Sequence, residues 1–530
     1  MIQKTFTCTL TLLHQSWLWW WEGSIKGDEF SRSVLTFSIA LFAILWCTWR
    51  YASSKKHKLA LPPGPGGLPL VGSLPFLGPN LHQCLAELSR SYGPIMKLRL
   101  GTKLCFIISS SSIAKEIYKE NDIIFSNHDL TIAARIISYG GANLVRCPYG
   151  PTWRAMKRVF NVDLLSNKNL DLCKDLRERE IQRMVTELYF KSGIAVNVGE
   201  LAFATSLNLL ESMLWGDRLK CEAIEGDFQQ LVMETIKLLT RPNISDFFPF
   251  VAWFDVRGIE HKMRKCISRL DRIYEDIMER RMNLDGVEDG NAGATVGKDF
   301  LSILLRVMND DNPKKPISCT NIKALITDIM VGGTSTMSTT VEWAMAELIH
   351  KPEIRKKVQE ELDTVVGASK RVEESHISRL HYLRAVLKET LRLHPVVPLL
   401  VPRVPSQSCI VGGYEIPKGT RVMTNVWAIH RDPSVWDKPL EFYPERFLYN
   451  ALADFSFFPF GSGRRKCAGL PLVEKVLPVI VATLMHFFEW RVPDGVELDF
   501  DEKFGVTLTK SNPLIAIPVP RFPSCKELYE

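Results

Sequence analysis

The sequence predicts a mostly α-helical protein with small β-sheets, in which one large domain follows an N-terminal transmembrane helix. Three observations predict this fold class. Apolar residues recur at helical spacing through most of the chain from Glu178 to His394. Strand-like runs are short, at 95–100 and 103–109 with Gly101-Thr102 as the turn between them, and at 409–414 and 514–517. An uncharged apolar stretch occupies 33–49, at the short end of the range that spans a bilayer as a helix.

The composition is that of a globular protein. With 530 residues, 46% of them hydrophobic and 24% charged, the chain is neither disordered nor collagenous nor a coiled coil. The net charge of +7 is small for this length, so no nucleic-acid partner is expected, although the sign suits an anionic membrane or an acidic protein. The twelve cysteines include no C-x-x-C pair, which favours a reducing compartment. Any thiolate chemistry therefore depends on a single cysteine.

The N-terminal region divides into three segments. Residues 1–32 form a luminal or interfacial segment whose tryptophans suit an aromatic belt, and residues 33–50 form the transmembrane anchor. Basic residues after the anchor outnumber the nearly balanced charges before it, which places the body in the cytosol. A buried core helix and a cleavable signal are the alternatives. The anchor is favoured because basic residues flank both edges and no small-residue cleavage site follows.

The body is predicted to be one domain. Residues 51–67 are a basic and Pro/Gly-rich hinge, in which Leu61 to Gly67 cannot continue a helix. Polar loops are expected at Asn283 to Lys298 and Asn309 to Pro316, and both are too short to establish a domain boundary. Because no internal repeat is found either, residues 68–530 are assigned to a single catalytic domain.

The most specific segment runs from Phe457 to Gly469. It is a glycine-rich loop that contains one cysteine, Cys467, and is followed by apolar residues at helical spacing from Leu470 onward. Cys467 is thus predicted at a helix N-terminus, where the dipole favours a thiolate that can bind a metal. A buried structural cysteine is the alternative.

This loop resembles the haem-binding signature of the cytochrome P450 superfamily. Phe460, Gly463, Arg465, Cys467 and Gly469 fall on the fixed positions of that signature. The resemblance implies haem b with Cys467 as the axial iron ligand, and electrons that come from NADPH through NADPH-cytochrome P450 reductase. It also implies a single-pass protein of the endoplasmic reticulum membrane with a cytosolic catalytic domain.

Further motifs extend the resemblance. Glu389 and Arg392 stand one helical turn apart, and the family joins them to an arginine, here Arg446, in a structural network behind the haem loop. Trp153, Lys157, Arg403 and Arg465 match the partners of the haem propionates. Lys157 departs from the arginine usual at its position and offers only a point charge. For each of these bases, a solvated or salt-bridged surface role is the alternative.

The long apolar helix contains Gly332 and Gly333, which are costly in a helix interior and need a reason. Close approach of a ligand is one reason, and tight helix packing is the other. By the resemblance, Gly333 and Thr336 belong to the catalytic residues, and Thr336 is the threonine that helps deliver protons. Ser335 stands where the family usually has a carboxylate. A hydroxyl cannot replace that proton relay at ordinary pH, so protons are expected to move through water, Thr336 or Ser338.

The resemblance is strongest to plant microsomal members of the family, in particular to terpenoid hydroxylases such as a cadinene hydroxylase. Three hypotheses follow. The first is an NADPH- and O2-dependent monooxygenase of a small apolar plant metabolite, with a terpenoid preferred and a flavonoid as the alternative. The apolar Val396, Val397, Leu399 and Leu400 and the segment Thr131 to Val145 occupy substrate-contacting regions of the family. The second hypothesis is altered haem-thiolate chemistry, such as isomerisation, dehydration or phenol coupling, motivated by Ser335. The third is a non-catalytic membrane interaction protein.

Overall fold

The computed structural model describes residues 34, 36–41, 44, 60–216, 222–287, 299–309, 317–368, 370–449 and 453–522. The predicted segment 1–32, most of the anchor at 33–50 and the hinge up to residue 59 lie outside these residues. The described residues of the anchor are helical and their side chains are exposed. Two compact units form. One includes these residues, Ala60 and Leu68–Leu70, and the other includes Leu61–Gly67 and the chain from Val71 onward.

The second unit is dominated by α-helices, with short 3-10 or π-helical turns between some of them. The α-helices are α1 Leu81–Tyr92, α2 Ser111–Lys115, α3 Ile132–Ile137, α4 Pro151–Arg158, α5 Asn167–Leu172, α6 Lys174–Phe190, α7 Val198–Trp215, α8 Glu222–Thr240, α9 Ile244–Phe247, α10 Ile259–Val287, α11 Phe300–Asn309, α12 Cys319–His350, α13 Pro352–Val365, α14 His381–Leu393, α15 Val426–Ile429, α16 Arg446–Tyr449 and α17 Leu470–Phe487.

The strands form small sheets. They are β1 Ile95–Leu100, β2 Lys103–Ile108, β3 Asn127–His128, β4 Val196–Asn197, β5 Arg403–Val404, β6 Cys409–Val411, β7 Tyr414–Ile416, β8 Arg421–Thr424, β9 Phe488–Arg491, β10 Glu502–Lys503, β11 Thr509–Lys510 and β12 Ile515–Pro520. The largest sheet has the order β1-β2-β8-β5-β3, and a three-stranded sheet has the order β4-β12-β9. The pairs β6-β7 and β10-β11 each form a separate two-stranded sheet.

The predicted elements are largely present. The mostly helical fold with small sheets is confirmed, and β1 and β2 form the expected antiparallel hairpin in which Gly101 has φ +59°. The prediction that a loop begins at Asn283 is wrong, because α10 continues to Val287. The residues 288–298 that complete this predicted loop lie outside the described residues.

The helices α7, α12 and α17 form the centre of the core. A Cβ atom on Gly333 of α12 would lie 2.6 Å from a methyl carbon of Leu210 on α7, so the glycine allows these two helices to pack closely. Among the described residues, α17 is the one helix long and apolar enough to cross a membrane, and most of it is buried inside the protein. Buried in this way, α17 is a core helix that carries the cysteine loop at its N-terminus.

Candidate active site

The cysteine loop is closed by its own backbone. The N–H of Cys467 donates to the carbonyl of Phe460 at 3.0 Å. Gly463 has φ +70°, and a Cβ atom there would overlap the Asp122 carboxylate. That carboxylate accepts from the backbone N–H of Arg464 at 3.1 Å and pairs with its side chain. The loop conformation therefore requires glycine at position 463, both for its φ angle and for the approach of Asp122.

The Cys467 thiol lies at the wall of an internal cavity, so it is accessible from the cavity although protein surrounds it. Burial raises the pKa of this thiol, while the backbone N–H groups of Gly469 and Leu470 and the ammonium of Lys157 act in the opposite direction. The N–H groups at the start of α17 therefore lower the pKa of Cys467 as expected, but burial raises this pKa by more. A cation at the sulfur would be needed to hold a thiolate there.

The cavity has a volume of about 320 Å³ and lies between the cysteine loop and α12. Most of its other wall residues are apolar: Leu144, Val145, Phe160, Leu165, Leu210, Phe300, Ile329, Met337, Leu391, Val396, Val397, Leu400, Val401, Leu472 and Val473. Of the four predicted substrate contacts at 396–400, Val396, Val397 and Leu400 are among them, and so are Leu144 and Val145 of the predicted segment Thr131 to Val145. Leu399 instead packs in the core around β1 and β2.

Two of the cations that line the cavity, Arg465 and Arg403, form no ion pair with a carboxylate of the described residues. Arg465 donates to the carbonyls of Ser126, Leu144 and Cys147 at 2.7, 3.0 and 2.5 Å. Arg403 is buried and donates to two carbonyls at 3.3 Å. Burial lowers the pKa of both guanidinium groups, to about 10 for Arg465, and the charge of Arg403 contributes to the shift of Arg465. Such a pair is suited to an anionic ligand.

The predicted Trp153 and Lys157 lie on α4 beside these cations. The indole Nε1 of Trp153 donates to the Leu144 carbonyl at 3.1 Å, and the guanidinium of Arg465 lies 4.6 Å from the centre of the indole ring. Lys157 also lines the cavity and donates to the Lys466 carbonyl at 3.4 Å. The structure thus brings Trp153, Lys157, Arg403 and Arg465 together with Cys467.

On α12, Gly332 and Thr336 face the cavity, and the Thr336 hydroxyl donates to the Gly332 carbonyl at 2.6 Å. A side chain at Gly332 would meet open space, whereas Gly333 also contacts Leu210. Ser335 does not line the cavity. Its hydroxyl lies 3.2 Å from that of Thr507, on a different side of the helix. Both reasons proposed for the glycine pair therefore apply, one to each glycine.

The network of Glu389, Arg392 and Arg446 lies behind the loop and is buried. Both oxygens of Glu389 bind Arg392 at 2.7 and 2.8 Å, and Oε1 also accepts from Arg446 at 3.1 Å. Arg392 continues to the His430 carbonyl at 2.7 Å. The Nε2 atom of His430 accepts from the N–H of Phe458 at 3.3 Å, which links the network to the cysteine loop.

Sequence reasoning missed three polar residues of this region, His128, Asp328 and Asp122. His128 lines the cavity, and its Nδ1 lies 2.9 Å from the Pro402 carbonyl. Burial, helped by Arg403, lowers its pKa well below the ordinary value. Asp328 lines the cavity from an apolar stretch of α12, and this contrast was the one signal that could have found it. His128 and Asp122 carry no local signal.

A single cysteine before a core helix, an apolar cavity and cations that receive no carboxylate from the described residues are the features expected of a haem-thiolate protein. The family model for cytochrome P450 matches residues 62–517. The chain is 40% identical to a flavonoid 3'-monooxygenase of Crocosmia x crocosmiiflora, over 87% of this chain and 92% of that protein. It is 39% identical to a geraniol 8-hydroxylase of Catharanthus roseus, over 90% of this chain and 97% of that protein.

A solved zebra fish cytochrome P450 with progesterone matches 83% of this chain and 99% of its own, with a TM-score of 0.70 and 26% identity. The chain belongs to the cytochrome P450 family, and it is an oxidoreductase of the monooxygenase type. The family implies a haem cofactor and a reductase that donates electrons. The residues present fit haem, because the thiol can bind a metal and, among the described residues, no carboxylate pairs with Arg403 or Arg465, which two propionates could do.

Proposed function

We propose that the protein is an NADPH- and O2-dependent haem-thiolate monooxygenase that hydroxylates a small apolar plant secondary metabolite, with a terpenoid as the substrate class. One observation carries this proposal. Away from the cationic cluster, the cavity between Cys467 and Thr336 is walled mostly by aliphatic and aromatic side chains. A hydrocarbon-rich substrate gains from such a wall without leaving polar groups unpaired.

A flavonoid is the second candidate substrate, because flavonoid 3'-monooxygenases of other plants are similar to this chain over most of its length. A flavonoid carries several hydroxyl groups that need polar partners when buried. Among the described wall residues away from the cationic cluster, Asp328, Thr336 and Thr340 could supply such partners. Aliphatic side chains are the largest group of wall residues, which supports the terpenoid.

The proposed roles of the side chains follow from their positions. Cys467 would bind the iron of haem b, and Arg403, Arg465, Trp153 and Lys157 would hold the propionates. The bound haem would supply the iron chemistry that activates dioxygen. Thr336 donates its hydroxyl proton to the Gly332 carbonyl, so its oxygen would accept a hydrogen bond at the cavity wall from a water that delivers protons.

The proposed electron source is NADPH through NADPH-cytochrome P450 reductase. Three basic side chains close to the cysteine loop in sequence or space, Arg154, Arg158 and Lys466, are exposed. Such a basic surface would steer an acidic flavoprotein toward the loop. The proposed location is the endoplasmic reticulum membrane, with the anchor at 33–50 and the catalytic domain in the cytosol.

An apolar surface of the catalytic domain supports membrane association. The turn Pro249–Phe254 exposes Phe250, Trp253 and Phe254 at 62%, 77% and 60% of their areas. Arg257 and Lys262 follow within a few residues. Exposed aromatic rings next to basic residues are typical of a surface that lies at a lipid interface.

A mass-resolved product assay tests the proposal. Yeast microsomes that contain the protein and a plant reductase are offered terpenes and flavonoids, with and without NADPH. We expect an NADPH-dependent terpene product that has gained one oxygen. Oxygen gain by flavonoids alone would reject the terpenoid, and a thiolate-type Soret shift without oxygen gain in any compound would favour altered chemistry. Folded protein that lacks this shift in reduced, carbon-monoxide-treated membranes would favour a non-catalytic interaction protein.

Ser335→Asp separates monooxygenation from altered chemistry. Ser335 faces Thr507 and is not a wall residue, so the introduced carboxylate would not reduce the cavity. If the protein is a monooxygenase limited by proton supply, the variant gains hydroxylation rate. An unchanged or impaired native reaction would support the isomerase, dehydratase or coupling hypothesis. Ser335→Asn, which has nearly the same size without the charge, is the control for the change in side-chain volume.

A further inference from the structure

The carboxyl group of Asp328 holds the segment 143–147 at the cavity wall. Its Oδ1 accepts from the Nδ2 of Asn143 at 2.5 Å, and its Oδ2 accepts from the N–H groups of Leu144 and Val145 at 2.9 and 3.3 Å. Burial raises the pKa of Asp328 to about 7, while these donors and the charge of Arg146 favour the carboxylate. Three donors of one segment thus bind this carboxyl group.

A second contact joins α12 to the same segment. Asn321 lies seven residues before Asp328 and hence on the same face of the helix. Its Nδ2 donates to the Ala142 carbonyl at 2.8 Å. The segment is therefore attached to α12 at two points, about two turns apart. Leu144 and Val145, which Asp328 fixes, are themselves wall residues of the cavity.

The peptide group between Leu144 and Val145 connects Asp328 to the cationic side of the cavity. Its N–H donates to Asp328, and its carbonyl accepts from Trp153 at 3.1 Å and from Arg465 at 3.0 Å. Hydrogen bonds in such a chain polarise one another, so an anion at the N–H end makes the carbonyl a stronger acceptor. The carboxylate of Asp328 thereby strengthens the hold on a guanidinium that it does not touch.

We propose that Asp328 is a positioning residue that, through the Leu144–Val145 peptide group, sets the orientation of Arg465 and Trp153 as well as the adjoining cavity wall. The proposal rests on the proposed function only for the role of Arg465 and Trp153 in binding haem. The attachment of the segment to α12 does not depend on that role.

Asp328→Asn in the full-length protein is the test variant. An asparagine can still accept from the two backbone N–H groups, but its own NH2 group then meets the NH2 group of Asn143, so one donor must lose its partner. The double variant Asp328→Asn, Asn143→Asp restores a donor opposite an acceptor. Glu342→Gln is the matched control, since Glu342 is a buried carboxylate of the same helix that accepts from the distant N–H of Leu514 at 2.9 Å and is not a wall residue.

Two measurements are made on each variant. Amide hydrogen exchange at Leu144 and Val145 reports the attachment of the segment, and the rate of haem transfer to an excess of an apo-haem acceptor protein reports the hold on haem. We expect Asp328→Asn to raise both rates by about tenfold, the scale of one charge-assisted hydrogen bond. The double variant should return amide exchange to within about threefold of wild type but leave haem transfer raised, because a neutral Asn at 328 no longer polarises the peptide group, and Glu342→Gln should change neither rate.

The outcomes distinguish the attachment of the segment by Asp328 from its effect on haem binding. Unchanged exchange at Leu144 and Val145 in Asp328→Asn would overturn the proposal. Faster exchange with unchanged haem transfer would also overturn it, since the peptide group would then not transmit the effect to Arg465. If wild-type protein held no haem but the exchange responded as expected, the proposed function would fail while the attachment by Asp328 stood.

Discussion

Gly463 in the cysteine loop cannot be replaced by a residue with a side chain without strain. Its φ of +70° is unfavourable for any residue with a Cβ atom, and that atom would also overlap Asp122. The two effects can be separated, because Gly413 has a similar φ of +80°, yet a Cβ atom added there would have no neighbour within 4 Å. The contrast between these glycines distinguishes backbone strain from steric overlap.

We therefore predict that Gly463→Ala destabilises the protein by more than Gly413→Ala. The φ angle alone should cost about 1–2 kcal/mol in either variant. In Gly463→Ala the displaced Asp122 should add to this cost and release the Arg464 backbone. Chemical unfolding curves measure the first effect, and haem content after purification measures the second. Equal destabilisation of the two variants, with full haem content in both, would contradict the importance of the Asp122 contact.

His430 gives the cysteine loop a pH-dependent support. Burial lowers its pKa to about 3, and the charges of Arg392 and Arg431 add to the shift. The folded state therefore holds the neutral ring, whose Nε2 accepts from Phe458. Because the folded-state pKa lies below the ordinary value near 6.5, the contribution is complete above pH 6.5 and is lost as the pH falls toward 3.

From this we expect the free energy of unfolding of wild type to fall between pH 7 and pH 5, with a contribution of up to about 2 kcal/mol from His430. His430→Gln keeps an acceptor for the Phe458 N–H but cannot titrate, so its stability should depend less on pH in this range. Urea unfolding at several pH values measures the difference. His381→Gln, at an exposed histidine, should retain the wild-type slope. The same slope in all three proteins would show that His430 does not titrate as proposed.

At the scale of elements, the buried network joins α14, α16 and the segment that precedes the cysteine loop. Arg446 reaches Glu389 on α14 at 3.1 Å and the Asp437 carbonyl at 2.7 Å. Removing one partner of a buried ion pair leaves the other charge uncompensated. Surface pairs do not carry that penalty.

Arg446→Met should consequently lower the free energy of unfolding by about 3 kcal/mol. Lys357→Met, which removes a partner of the exposed pair with Glu445, should cost less than about 1 kcal/mol. The two substitutions are chemically alike, so denaturant titrations of both variants compare buried and exposed pairs directly. A loss of similar size in both would mean that the network does not act as a unit behind the loop.

The sequence was informative where a feature is local. The pairing of Glu389 with Arg392 follows from i,i+3 spacing, and the helix after Cys467 follows from its apolar periodicity. The contacts of Arg465 could not be predicted in this way, because the carbonyls of Ser126 and Leu144 lie more than 300 residues away in the chain. Every residue has a backbone carbonyl, so the residue types do not indicate which carbonyls accept from Arg465.

Distance along the chain also explains why the sequence did not predict strand β8 or the role of Asp328. Strand β8 is only four residues long and pairs in parallel with β2 across the chain, so no hairpin pattern indicates it. Asp328 was overlooked because its partners are backbone N–H groups of a distant loop. In contrast, the different directions of Ser335 and Thr336, about 100° apart around the helix, follow from helical geometry once α12 is placed beside the cavity.

At the scale of the whole molecule, the predicted topology places residues 1–32 in the lumen and the catalytic domain in the cytosol. The chain contains its own reporter for the domain, because Asn243-Ile244-Ser245 matches a glycosylation acceptor. In the structure Asn243 is buried and its side chain accepts from the N–H of Ser245 at 3.1 Å. Glycosylation there would require both a luminal domain and modification before folding.

Gln3→Asn adds a second reporter on the other side of the anchor, because it completes an acceptor with Thr5 about thirty residues before the predicted span. We expect this variant, expressed in microsomes, to show a glycosidase-sensitive increase in mass, whereas wild type shows none. Adding Thr5→Ala to the variant should abolish the increase, since the acceptor needs the hydroxyl residue. A glycosidase-sensitive wild type would instead place Asn243 in the lumen, and it would invert the orientation that the basic residues after the anchor predict.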